Sequence, residues 1–416
     1  MRRFKFVECA QDTCFRHSFR CGHREQHDDG RELQSQALIQ RRSHRSTLSF
    51  VDQYCANFLR DFHQHHQTAM KFLVSSSLSL LLASHTYAAC QKYIDAAKTA
   101  AKNLQSTYFK NGTYDQAVWI SAVDNFYLLQ LDAVSGSNIS SGVIDTVFLG
   151  QEDHLEHGES YDDVQWVSTT YLTAGNLERA KHFYDIASTA LDTSTCGGGL
   201  FWSGARDYKN AITNELYLAT SGQLYEATKE QKYLDNLKNV WKWLKESGMR
   251  GANGLFNDGL TKDGTCVNNG QTTWTYNQGV VLVGLGFLSK YAQDESAVTD
   301  AFSIMDAIMA QLTIDGALRE LCETADENKC NADQASFKGI AIYYMSWFLR
   351  ISGKDNNGKY ANFVKSQADK VLANAQDTEG VFNNYWPAKG AKAAVENAST
   401  QAAALGALVG ASQLDC

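Results

Sequence analysis

Proline is almost missing from this chain of 416 residues, which has one, Pro387. Nothing of that kind interrupts long helices over most of its length. No run of alternating β-branched residues is long enough to argue for a large sheet. The apolar run from Phe72 to Ala83 is too short to span a bilayer. No G-x-S-x-G, Walker A or helix-opening Rossmann fingerprint is present. Histidine is scarce beyond residue 89, where only His154, His157 and His182 occur. His154 and His157 share a helix face at i,i+3, a pattern expected of a surface helix rather than a metal site. Asn257, Asp258 and Asp263 lack the spacing and terminal Glu of an EF-hand. Neither metal nor cofactor is expected.

What is present changes abruptly along the chain. Residues 1–69 hold Cys9, Cys14, Cys21 and Cys55, seven of the eleven histidines and arginine-rich runs such as "QRRSHR", without sustained periodicity. The spacing of Cys9, Cys14, Cys21 and His23 fits no familiar zinc pattern. From Met70, "MKFLVSSSLSLLLASHTYAAC" has a basic start, an apolar centre and small residues at Thr86 and Ala88 before a cut, the three parts of a secretory signal peptide. Such peptides stand at a true N-terminus, so residues 1–69 read as a disordered extension arising from start-site choice. Residues 70–88 then form the signal, and 89–416 one secreted domain.

Residues 89–416 carry 26 Lys+Arg against 38 Asp+Glu, a net −12. A surface this acidic argues against nucleic acid or anionic lipid as partner. Cys90, Cys196, Cys266, Cys322, Cys330 and Cys416 remain, an even number that suggests three disulfides. Cys322 with Cys330, closing a short polar loop, is the one pairing expected specifically. Sequons at Asn111, Asn138 and Asn397 suit an exported glycoprotein.

Helical periodicity places twelve helices at about 91–107, 115–133, 141–156, 160–173, 176–192, 210–227, 230–248, 277–291, 295–313, 334–351, 357–377 and 398–411. An open solenoid and a closed (α/α)6 toroid both suit that count. A solenoid should show a recurring motif, and none is found. A toroid gathers its loops around a central cleft, and long Gly-rich connections occur at 193–209, 249–276, 314–333 and 378–397. The fold expected is all-α, a single (α/α)6 toroid. Residues 401–416 lack a polar spacer and read as its closing helix rather than an anchor signal.

"GESYDDVQWVSTTYL", residues 158–172, sets Asp162 beside Asp163 at the head of an apolar helix that Ser160 could cap. A capped helix with acidic residues in its first turn is the plain reading. The chemical reading is a carboxylate pair. Neighbouring Cα atoms lie about 3.8 Å apart, which suits the roughly 5–5.5 Å carboxyl separation of a retaining glycosidase better than the roughly 6.5–9.5 Å of an inverting one. The helix terminus would ionise one aspartate, and that charge would hold the proton on the other.

The connections favour chemistry. Residues 193–216 read "TSTCGGGLFWSGARDYKNAITNEL", where three glycines suggest a close backbone approach and Trp202 and Asn214 follow. Asp258, Trp274, Tyr276, Asn277 and Gln278 precede another apolar helix. Aromatic faces beside amides and carboxylates suit sugar rings with apolar C–H faces and hydroxyl edges. Core packing and caps explain any one of these residues. For the whole set, with Trp166, a carbohydrate site is the preferred reading.

The order of "YDDVQW", "CGGGLFW", "YKNAITNEL", "WTYNQGV", "LRELCE…CNADQASFKG" and "STQAAALGAL" resembles glycoside hydrolase family 76 over nearly all of 89–416. The resemblance implies an (α/α)6 toroid that cleaves α-1,6-linked mannan backbones with retention. It assigns Asp162 as nucleophile and Asp163 as general acid/base. The binding residues expected are Trp166, Trp202, Asn214, Asp258, Trp274, Tyr276, Asn277 and Gln278. Val167 stands where a second aromatic is frequent in the family. The partner expected is α-1,6-mannan or a mannoprotein oligosaccharide, met by a monomer without a stable membrane anchor. Family members that act as cell-wall transglycosylases provide one alternative. A secreted mannan-binding protein without turnover provides another.

Overall fold

The computed structural model describes residues 91–414. The expected extension and signal peptide lie outside these residues, as do Cys90 and Cys416. Twelve helices form the described chain: α1 (91–103), α2 (Val118–Ser135), α3 (Glu152–His157), α4 (Tyr161–Thr173), α5 (Leu177–Ser188), α6 (Ala211–Thr228), α7 (Gln231–Glu246), α8 (Thr275–Phe287), α9 (Glu295–Gln311), α10 (Ala332–Ser352), α11 (Lys359–Lys370) and α12 (Ala398–Ser412). The sheet among the described residues is a two-stranded hairpin, β1 (Thr313–Ile314) with β2 (Ala317–Leu318).

The even-numbered helices form a closed inner ring. Each packs on the next, from α2 through α4, α6, α8 and α10 to α12, and α12 packs back on α2. The odd-numbered helices lie outside, with α5 on α4, α7 on α6, α9 on α8 and α11 on α12. This is the (α/α)6 toroid.

Sequence decides which helices lie inside. All fifteen residues of α12 are buried, as a helix that is small and apolar on every side requires. The outer helix α7 buries Tyr233, Leu234, Leu237, Val240, Trp241 and Leu244 and turns its lysines to solvent. Close approach within the ring depends on small residues. A Cβ on Gly279 of α8 would lie 2.5 Å from the Ala341 Cα of α10, and Gly339 of α10 faces Ala403 of α12 in the same way. Buried polar side chains peg neighbours together. Thr170 of α4 donates to the Ala122 carbonyl of α2 at 2.9 Å, and Gln165 of α4 to the Thr213 carbonyl of α6 at 3.0 Å.

One helix is much shorter than its periodicity implied. Residues 139–150 form consecutive turns, and helix begins only at Glu152. Gly142 and Gly150 adopt positive φ, and hydrogen bonds such as Thr146 to the Val143 carbonyl close three-residue turns. The expected Cys322–Cys330 disulfide is present, and Cys196 pairs with Cys266.

Candidate active site

A cavity of about 620 Å³ opens at the ring, lined by Asp162, Asp163, Trp166, Trp202, Asp258 and Tyr276 among others. Its position follows from the topology. Trp119, Asp162 and Asp163, Tyr276, and Asp333 stand in the first turns of α2, α4, α8 and α10, and Asn210 immediately precedes α6. The cleft therefore faces the N-terminal ends of the inner helices, whose unpaired N–H groups make a favourable setting for anionic groups.

The head of α4 is held from several sides. Gly158 ends α3 in the left-handed conformation, with φ +61°. The Tyr161 N–H donates to the Trp202 carbonyl at 2.8 Å, and the Trp202 N–H to the Tyr208 carbonyl at 2.7 Å. The aspartate pair is thereby tied to the loop that carries Trp202. Ser160 occupies the N-cap position but makes no cap bond. Its hydroxyl instead donates to Asp162 Oδ1 at 2.8 Å.

The two carboxylates have different partners. Asp163 Oδ2 lies 2.7 Å from His154 Nε2, and His154 Nδ1 lies 3.0 Å from Glu159 Oε2. Burial and the neighbouring Asp163 charge push the Asp162 carboxyl up to about 7, against the opposing hydrogen bond from Ser160. Burial also raises Asp163, while His154 works to lower it. The hydrogen bond to Asp163 raises the His154 imidazole to about 9, so it is a cation at neutral pH. The two carboxylates titrate as a pair, and the His154 cation stands against Asp163 alone. His154, which sequence periodicity assigned to the surface, makes the surroundings of the two carboxylates unlike.

Aromatic rings wall the cleft. Tyr276 stacks on Phe337, Trp119 lies 6.1 Å from Phe337, and Trp166 lies 5.9 Å from Trp119, measured between ring centroids. The Trp202 side chain is 37% exposed, an unusual state for an indole that leaves its face available at the cleft. Tyr208 donates to Asp258 Oδ2 at 2.5 Å and accepts from Asn269 at 2.9 Å. Burial raises the Asp258 carboxyl, against the Tyr208 hydrogen bond.

Other expected binding residues do not line the cavity. Asn214 is buried and staples the backbone of Leu200, accepting from its N–H at 2.7 Å and donating to its carbonyl at 3.1 Å. Gln278 does the same for Phe256, at 2.8 and 2.9 Å. Asn277 is fully buried, and its side-chain atoms have no protein partner. Trp274 is half-buried and packs edge-on against Phe337, with ring centroids 5.6 Å apart. The triple glycine approaches protein rather than ligand, since a Cβ on Gly199 would meet the Trp243 indole at 2.5 Å. Buried Lys209 fixes that loop by donating to the Thr195 and Gly198 carbonyls, each at 2.7 Å.

Trp119, Tyr208, Asn210, Lys262, Asp333 and Phe337 line the cleft without having been foreseen. The i,i+4 spacing of Asp333 and Phe337 at a helix start was the available signal for two of them. Among the described residues, no group of three or more His, Cys, Asp or Glu side chains could hold a metal ion.

The family model for glycosyl hydrolase family 76 matches residues 157–414. A putative mannan endo-1,6-alpha-mannosidase of Schizosaccharomyces pombe is 28% identical over 248 residues, covering 57% of this chain and 56% of that one. Mannan endo-1,6-alpha-mannosidase DCW1 of Candida albicans is 27% identical over 187 residues, 42% of this chain and 40% of that one. The matched stretch thus spans about half the length of these curated relatives. Among solved structures, an inactive variant of the alpha-1,6-mannanase GH76A of Salegentibacter, with two consecutive aspartates replaced by asparagine, is bound to alpha-1,6-mannotriose. It superposes with a TM-score of 0.69 at 19% identity, over 77% of this chain and 99% of that one. Dfg5 of Chaetomium thermophilum, in complex with glucosamine, gives a TM-score of 0.65 at 18% identity, over 78% and 90% of the chains.

Proposed function

Because this chain belongs to glycosyl hydrolase family 76, we propose that it is a secreted, retaining, endo-acting glycosidase that cleaves α-1,6-mannosidic bonds in mannan backbones. The observation that carries this reading is the placement of Asp162 and Asp163, consecutive at the head of α4, in an aromatic-walled cleft with separate partners. The inactive mannanase variant with two consecutive aspartates replaced supports it, as do the names of the curated relatives.

Asp162 is the nucleophile. Its carboxylate attacks the anomeric carbon while Asp163 protonates the departing glycosidic oxygen. Water then enters as Asp163 takes back a proton, and the bond to Asp162 breaks. The productive form has the shared proton on Asp163. A leaving oxygen that accepts a hydrogen bond from Asp163 favours this form, and the two groups titrate as a pair. Trp202, Trp166 and the Tyr276–Phe337 wall receive the apolar faces of the sugar rings. Tyr276 is held protonated by burial and the Asp258 and Asp162 charges, so it remains a hydrogen-bond donor.

Transfer to a sugar hydroxyl instead of water uses the same intermediate. The exposed Trp202 indole favours this second reading as a platform for an acceptor ring.

The test is a pair of variants assayed on mannan and on an aryl α-mannoside with a good leaving group. Asp162→Ala should lose turnover of both. Asp163→Ala should lose mannan cleavage and retain a much larger share of aryl-mannoside cleavage, which needs little proton donation. Near-normal activity in Asp162→Ala contradicts the assignment.

A further inference from the structure

We propose that His154 is a positioning residue for the reaction: standing outside the cleft on α3, it holds Asp163 through Nε2 and supplies the positive charge that stabilises the Asp163 carboxylate once its proton has gone to the leaving group. The proposal deepens the reading above and rests on it.

The geometry is that of a relay of three side chains. His154 Nε2 lies 2.7 Å from Asp163 Oδ2 and Nδ1 lies 3.0 Å from Glu159 Oε2, so both ring nitrogens face carboxylates. Imidazolium donates from both nitrogens, which neither neutral tautomer can do. The His154 bond occupies Oδ2 and leaves Oδ1 to carry the proton used in catalysis. The Asp163 side chain is 13% exposed and that of His154 30%, so solvent screens their interaction only in part. Burial opposes charge on the imidazole, yet its partners hold it protonated to about 9.

The surroundings leave this role to His154. Asp162 on the same helix and Asp333 at the head of α10 add negative charge near Asp163. Asp258 and Lys262 also line the cleft, and Lys262 is engaged with Asp207 at 3.7 Å. On the adjoining α5, His182 and Arg179 are engaged with Glu156, at 2.7 and 3.7 Å.

The proton count balances without a further reactant. In the first step the Asp162–carbon bond forms, the glycosidic bond breaks and the Asp163 proton leaves with the departing oxygen. His154 keeps both protons and faces the new carboxylate. In the second step a water proton returns to Asp163 as the water oxygen bonds to carbon and the Asp162 ester opens. A nearby cation makes Asp163 a stronger acid in the first step and a weaker base in the second.

The test compares His154→Gln and His154→Ala in the full chain. Glutamine can still donate a hydrogen bond to Asp163 but carries no charge. Removing the cation raises the carboxyl affinities for protons, so both limbs of the pH profile of kcat/KM on mannan should move up by about 1 unit in each variant. The loss of rate should be about tenfold or more on mannan and smaller on an activated aryl mannoside. Limbs that stay in place in His154→Gln overturn the proposal, because orientation alone then accounts for the contact. A direct readout stands apart from turnover. The His154 imidazole, identified by the NMR signal lost in His154→Gln, should titrate near 9 in the unaltered protein and clearly lower in Asp163→Asn, where Glu159 alone is left to hold the cation. A high value persisting in Asp163→Asn overturns the coupling even if mannan is not the substrate. Absence of mannan cleavage with the NMR shift intact counts against the proposed function and leaves the His154–Asp163 coupling standing.

Discussion

Tyr276 and Phe337 stack face to face across the junction of α8 and α10, with ring centroids 3.8 Å apart and planes 4° from parallel. The stack joins two inner helices at the cleft and presents the Tyr276 hydroxyl among the charges of Asp162 and Asp258. Stability and substrate contact can therefore be separated here. Phe337→Ala removes a buried ring that also supports Trp274 and Trp119, and should cost about 3–5 kcal/mol in thermal or denaturant unfolding. Tyr276→Phe keeps the stack and deletes one donor. It should lower kcat/KM up to about tenfold, the value of one hydrogen bond, with Tm unchanged.

The aspartate pair should destabilise the fold it serves. Asp162 binds its proton more tightly in the folded chain than in the unfolded one, with its affinity raised from the usual 3.8 to about 7. The folded state then binds more protons between those values, so stability is fully present below about pH 4 and falls as pH rises toward 7. Asp162→Asn removes that loss. Its Tm should match the parent near pH 4 and exceed it by at least ~2 °C at pH 8, measured by calorimetry. Equal Tm at both pH values would contradict the electrostatic account of the site.

Beneath the cleft wall lies a buried ion pair with a different purpose. Lys338, next in sequence to Phe337, donates to Glu323 Oε1 at 2.6 Å and also to the Asn384 carbonyl, and neither charged side chain reaches solvent. It anchors the 320–323 turn and the chain around 384 to α10. Lys338→Met strands the Glu323 carboxylate and should cost about 3–5 kcal/mol. The double variant Lys338→Met, Glu323→Leu should recover much of that in the same unfolding measurement, because it leaves no unpaired charge behind.

Helix number and the inner closing helix were legible because apolar periodicity is local. Gly142 and Gly150 show where that signal fails, since two positive-φ glycines dissolve most of a helix whose apolar spacing is otherwise acceptable. Closure of α12 on α2 joins distant parts of the chain and leaves no local mark. Within the site, Asp162, Asp163, Trp166, Trp202, Asp258 and Tyr276 were identified from their chemistry and line the cavity. Asn214 and Gln278 were placed there wrongly because an amide that staples a backbone has the same sequence signature as one that binds sugar. His154 was misjudged for the opposite reason. Its helix is exposed on one side, and only the tertiary approach of α3 to α4 sets its ring against Asp163.

The most direct test of the account follows the anomeric signals by proton NMR while the full chain acts on linear α-1,6-mannan. The consecutive pair predicts that α-anomer appears first, before mutarotation mixes the products. β-Anomer appearing first would contradict it, since inversion requires a more distant base than the neighbour of Asp162 can provide.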